Sequence, residues 1–318
     1  MKIISFLKQD ALFSRPRLGA LLETGSILDF QSAIAASSTN LPAGGTTNYL
    51  DWFDLDNPLL RQAFGLYEQL ADSTEPSSAS MIFNRAEVQL LAPVPRPGKL
   101  ICIGLNYRDH AAESNMKIPE KPVVFSKFTT SVIPAGQPVV LPQSSQQVDY
   151  EAELAVVIGR CGRNIKAEQA FDYVLGYTIV NDVSARDFQF ADGQWQRGKS
   201  CDTFAPMGPA IVTKDEVVDP HKLSIRLKLN GQTMQDSNTG QLIFGVPALI
   251  EFLSETITLE PGDVIATGTP AGVGFARKPP VFLRSGDVMQ VEIEKLGTLE
   301  TPVTSVPATV ELFARSTH

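Results

Sequence analysis

Residues 149–159 read Asp-Tyr-Glu-Ala-Glu-Leu-Ala-Val-Val-Ile-Gly, and this stretch constrains the fold more than any other. A β-type apolar run begins at Leu154, and two glutamates stand at its mouth. Side chains alternate along a strand, so Glu151 and Glu153 leave it on the same face. Two carboxylates on one face repel. The repulsion is tolerable when both are solvated, or when a hard divalent cation takes their oxygens as ligands. The spacing alone leaves both readings open.

The remaining strand signals favour an α+β chain that is mainly β. Runs at 99–104, 152–158, 176–183, 223–229, 264–267 and 288–293 read as strands, with an Asn230-Gly231 hairpin turn after the fourth. Helical spacing is confined to short segments at 58–70, 110–115, 167–173 and 246–253. Many strands with glycine and proline punctuation predict a closed or rolled sheet. Turn-rich patches at 37–45 and 72–78 and the proline-rich crossing at 90–97 divide the chain into a small N-terminal domain, 1–90, and a main body, 91–318.

Charge narrows the partners. With 27 basic against 35 acidic residues and a net charge of −8, the chain does not read as a binder of nucleic-acid phosphates. No apolar run reaches the length of a membrane span, and the N-terminus reads as a first strand rather than a signal peptide. Cys102, Cys161 and Cys201 are odd in number and widely spaced, which suggests a reducing compartment, the cytoplasm.

Asp182 is the next acidic residue inside an apolar strand, and a carboxylate there needs a partner. Arg186 is one candidate; a metal ion is the other. If Asp182 joins Glu151 and Glu153, three carboxylates without histidine or thiolate suit Mg2+, Mn2+ or Ca2+ and not zinc. His110 lies where a strand gives way to a helix, with Glu113 three residues on. Such a pair is either a surface ion pair or a water-activating base held by its carboxylate. His221 sits in a turn by composition and is given no role, and His318 ends the chain. Lys199 is a surface lysine or a clamp for a substrate carboxylate. The glycine-rich stretch 264–274 matches neither a dinucleotide fingerprint nor a P-loop, and suits a tight loop that brings backbone N–H groups and Thr269 close to a ligand. No Gly-x-Ser-x-Gly elbow is present.

In order, these blocks resemble the fumarylacetoacetate hydrolase family, most closely its domain-containing protein 2 group. The resemblance rests on Gly104-Leu105-Asn106-Tyr107 with His110, Asp149 to Leu154, Asn181 to Asp187, Gly198-Lys199-Ser200 with Asp202 and Pro206, and Thr267-Gly268-Thr269-Pro270 with Gly272 and Gly274. It implies a mixed β-roll, commonly dimeric, and a Mg2+ site of Glu151, Glu153 and Asp182. It also implies a His110–Glu113 dyad on a lid segment, a catalytic Lys199, and substrate contacts from Arg186, Gln189 and Thr269. The implied substrate is a 2-oxo acid, because its carboxylate and keto oxygen can chelate the cation that stabilises an enolate. Carbon–carbon hydrolysis of a 2,4-dioxo acid is the leading expectation. Keto–enol tautomerisation or decarboxylation of oxaloacetate follows, and a catalytically idle metal-binding protein is the remote alternative.

Overall fold

A computed structural model describes residues 1–9, 15–37, 49–71 and 81–305 of the chain. Most of the turn-rich patches expected at 37–45 and 72–78, together with His318, lie outside those residues. The chain is α+β and mainly β, as its strand signals predict.

Among the described residues the main sheet has twelve strands. At its centre Ala152–Ile158 pairs antiparallel with Val174–Asn181 on one side and with Val264–Ala266 on the other. Every residue of Ala152–Ile158 is buried. Ala152, Leu154, Val156 and Ile158 pack into one apolar core, and Ala155 and Val157 into a second on the opposite face. Burial on both faces explains why the run shows no polar alternation. Beyond Val174–Asn181 the sheet continues through Ala205–Thr213 to the N-terminal strand Lys2–Lys8, with Ile3 opposite Ile211. On the other side Val264–Ala266 runs parallel to Leu100–Gly104, which pairs with the edge strand Val123–Ser126.

A second sheet of five strands covers the first core, and includes Ser224–Leu229, Gln232–Asn238 and Val288–Ile293. Asn230 and Gly231 both take positive φ, at 51° and 80°, as a tight hairpin between the first two of these requires. His221 is structural. Its Nε2 accepts from the Val246 N–H at 3.0 Å, at the start of the helix Val246–Ser254.

Strand directions gather the functional segments at one edge. The start of Ala152–Ile158 and the ends of Val174–Asn181, Val264–Ala266 and Leu100–Gly104 all lie there. No helix among the described residues is long and apolar enough to cross a membrane.

Candidate active site

The register of the central pair builds the carboxylate cluster. Ala152 lies opposite Asn181, so Glu151 and Asp182 face each other just past the pairing, and the Asp182 N–H donates to the Glu151 carbonyl at 2.9 Å. Cross-strand neighbours share a face, and Glu153 shares it by alternation. One oxygen each of Glu151, Glu153 and Asp182 lies within 4.8 Å of the others, and all three residues are buried.

Charge in this cluster is nearly balanced, but not fully. Four buried carboxylates, Asp149, Glu151, Glu153 and Asp182, meet three buried cations, Lys127, Arg186 and Lys199. Lys199 Nζ bridges Glu151 at 2.8 Å and Asp182 at 2.7 Å. Burial opposes its charge, but Asp182 and Glu151 overcome that and raise its pKa, so it stays protonated. Lys127 pairs with the other Asp182 oxygen. Arg186 pairs with Asp149 at 2.8 Å and with Glu151 at 2.6 Å. Burial raises the Glu151 pKa, and Lys199 and Arg186 outweigh it to bring the group down to about 2.

Glu153 has no ion-pair partner among the described residues; it accepts the Gly268 N–H at 2.9 Å. Burial, reinforced by Asp182 and Glu151, pushes its pKa well above the usual carboxylate range. Among the described residues Glu153 is therefore the buried carboxylate of this cluster left without a cationic partner, and its charged form is the one disfavoured until a cation arrives. An all-oxygen donor set with one carboxylate in excess of its buried cations fits a hard divalent cation.

His110 and Glu113 stand on the helix Arg108–Glu113, where the chain leaves Leu100–Gly104. His110 Nδ1 lies 3.4 Å from Glu113 Oε2, and the imidazole is largely buried. Glu113 also accepts the Gly272 N–H at 3.0 Å. Burial raises its pKa, but the hydrogen bonds from His110 and Gly272 lower it further, so the net shift is downward. Asn106 fixes the base of the segment, donating to Thr267 O at 2.8 Å and Phe244 O at 3.0 Å.

Several expectations change. Arg186 is not the partner of Asp182; its guanidinium is used by Asp149, Glu151 and, at 2.9 Å, by Gln189 Oε1. Arg186 thus binds two carboxylates, and Gln189 binds Arg186. Asp182 takes lysines instead. The loop after Val264–Ala266 does bring its N–H groups inward, but those of Gly268, Gly272 and Gly274 end on Glu153, Glu113 and Asp149 rather than facing a ligand position. Lys199 is a buried lysine. Sequence reasoning missed Lys127, because a lysine after a short apolar strand looks like a solvated end. Asp149 sits two residues ahead of Glu151, a period-two signal that could have marked it.

Placing Lys199 depends on Gly198. A Cβ there would lie 2.6 Å from Gln189 N and 2.7 Å from Ala185 O, both backbone atoms that cannot easily retreat. Gly198→Ala is expected to destabilise the protein by about 1–3 kcal/mol through overpacking, measured as a lower unfolding midpoint.

A buried carboxylate cluster thus lies at the end of a mixed sheet, with lysine counter-ions and an imidazole on an adjoining helix. The fumarylacetoacetate (FAA) hydrolase C-terminal family model matches residues 99–304. Oxaloacetate tautomerase fahd2, mitochondrial, from Xenopus laevis, is 47% identical over 285 residues, covering 87% of this chain and 89% of its own. The human oxaloacetate tautomerase FAHD2A, mitochondrial, is 52% identical over 220 residues, covering 69% and 70%. The solved structure of a fumarylacetoacetate hydrolase from psychrophilic Exiguobacterium antarcticum superposes with a TM-score of 0.75 at 35% identity, covering 96% of this chain and all of that one. The chain belongs to the fumarylacetoacetate hydrolase family.

Two expectations from the sequence are revised by these relatives. The frog and human proteins are named as mitochondrial, which overturns the cytoplasmic assignment. Unpaired cysteines report the lack of disulfide bonds, and that does not single out the cytoplasm. The relatives' names also favour tautomerisation of oxaloacetate over carbon–carbon hydrolysis.

Proposed function

We propose that this protein is a divalent-metal-dependent oxaloacetate keto–enol tautomerase that acts in mitochondria. The observation that carries the reading is the cluster of Glu151, Glu153 and Asp182, in a site with one buried carboxylate more than its buried cations. The relatives' names then select one reaction among those a 2-oxo acid can undergo.

Glu151, Glu153 and Asp182 are the residues that would hold the cation, with Mg2+ the favoured ion and Mn2+ or Ca2+ compatible. When bound, it supplies the positive charge that acidifies the C3 hydrogens of a 2-oxo acid and stabilises negative charge developing at O2. His110 is the base that moves a proton between C3 and O2, taking it from C3 and giving it to O2 to form the enol and running the reverse in ketonisation, and Glu113 orients the imidazole and stabilises its cation. Lys199 stays protonated and donates hydrogen bonds to anionic oxygens of the substrate. Thr269 donates another, Arg186 acts through the carboxylates it holds, and Gln189 acts through Arg186. The family resemblance also expects a homodimer, which light scattering would show as twice the 34.5 kDa chain mass.

Hydrolysis of an acylpyruvate is the second reading, favoured by the His110–Glu113 pair, an arrangement that can also activate water. Purified protein assayed with enol-oxaloacetate and with acetylpyruvate separates the two. Mg2+-loaded enzyme is expected to accelerate ketonisation of the enol well beyond any cleavage of acetylpyruvate. Excess chelator should remove that acceleration, and added Mg2+ should restore it. A Mg2+-saturated protein that leaves the enol at its uncatalysed rate would sink the tautomerase reading.

A further inference from the structure

Gln235 belongs to the strand Gln232–Asn238 of the second sheet, is fully buried, and hydrogen-bonds to two segments of the site, the start of Ala152–Ile158 and the loop after Val264–Ala266. Its Oε1 accepts from the Ala152 N–H at 2.9 Å. Its Nε2 donates to Pro270 O at 2.9 Å and to Thr269 Oγ1 at 2.8 Å. The two ends of an amide can often be exchanged without penalty. Here they cannot, because a peptide N–H only donates and a carbonyl only accepts. Ala152 and Pro270 therefore fix the amide in one orientation, and its second hydrogen goes to Thr269.

That settles what Thr269 can offer. Its oxygen is the acceptor for Gln235, so its own hydrogen remains to be given, and no acceptor among the described residues takes it. Thr269 is largely buried, and follows Gly268, whose N–H holds Glu153. Ala152, at the other end of the amide, separates Glu151 from Glu153.

We propose that Gln235 is a positioning residue: it commits the Thr269 hydroxyl to donate to an anionic oxygen of the bound 2-oxo acid, while pinning the peptide between two of the carboxylates. The inference rests on the 2-oxo acid reading above. Gln235 gives the site a hydroxyl donor at this position whose hydrogen is turned away from residue 235.

A double-mutant cycle tests it in Mg2+-loaded, full-length protein. The probe is oxalate, whose adjacent carboxylates resemble the carboxylate and enolate oxygens of a 2-oxo acid. Gln235→Met removes both amide hydrogens. Gln235→Glu keeps the shape and removes at least one, so that the Thr269 hydrogen can turn back toward residue 235. Thr269→Val removes the hydroxyl itself. Each single substitution is expected to weaken oxalate binding, read by calorimetry, by roughly tenfold. A Gln235 substitution made on top of Thr269→Val should add less than about twofold, because the hydroxyl it acts through is gone. A Gln235 substitution that weakens oxalate by the same factor in both backgrounds, or not at all in the parent, would overturn the proposal; so would a parent protein that binds no oxalate. If one Gln235 variant does not fold, the other closes the cycle. An intact oxalate cycle in a protein that does not turn over oxaloacetate would count against the tautomerase reading and for this one.

Discussion

Glu153→Gln is expected to lower turnover of oxaloacetate by about 10³-fold while the protein keeps its fold. The glutamine can still accept the Gly268 N–H, which Glu153 holds at 2.9 Å, so local geometry survives. What disappears is the carboxylate in excess. Three buried carboxylates would then face three buried cations, and the cluster would be neutral without metal. Two consequences follow, and they point in opposite directions. Metal affinity should fall by roughly 100-fold or more, since a ligand is lost and even partners of ligands cost 10- to 100-fold. Metal-free stability should be unchanged or higher, because an uncompensated buried charge is costly. Calorimetric titration with Mg2+ and thermal unfolding in chelator measure the two. Retained Mg2+ affinity, or a metal-free variant that melts well below the parent, would show that Glu153 is not a metal ligand.

The strand that carries this cluster was legible because its message is local. The run at 152–158 occupies the positions the structure gives it, and so does 288–293, where apolar and polar side chains alternate over one buried face. The segment expected as a helix at 167–173 is in place but wound as a 3-10 helix, Ala167–Tyr173. The helix expected at 110–115 starts two residues earlier, at Arg108, so His110 and Glu113 still share a helix. Pairings between distant segments were not legible. That Asp182 faces Glu151 follows from a register of Ala152 with Asn181, which periodicity along one strand does not contain. Lys127 reaches Asp182 because Val123–Ser126 lies at the edge of the same sheet. Gln235 arrives from another sheet and has no local mark to distinguish it from a surface amide. The resemblance supplied the chemistry, but it could not show that Arg186 is already engaged with Asp149 and Glu151, and Gln189 with Arg186.

His110→Asn separates proton transfer from metal binding. Asparagine keeps a polar side chain of similar reach and cannot serve as a base near neutral pH. Loss of a positioned general base costs typically 10²–10⁴-fold, and a fall of about 10³-fold in kcat for enol-oxaloacetate is expected. His110 makes no hydrogen bond with Glu151, Glu153 or Asp182, and its contact is with Glu113, so Mg2+ affinity should stay within a fewfold of the parent. The pair of variants thus divides the site: Glu153→Gln loses the metal and the rate together, while His110→Asn loses the rate and keeps the metal. Glu113→Gln should resemble His110→Asn with a smaller loss, because its amide oxygen can still accept from Gly272 while no longer stabilising an imidazolium. Full ketonisation by His110→Asn would move the proton-transfer role to another group, and Lys199, already between Glu151 and Asp182, is the next to test by Lys199→Met.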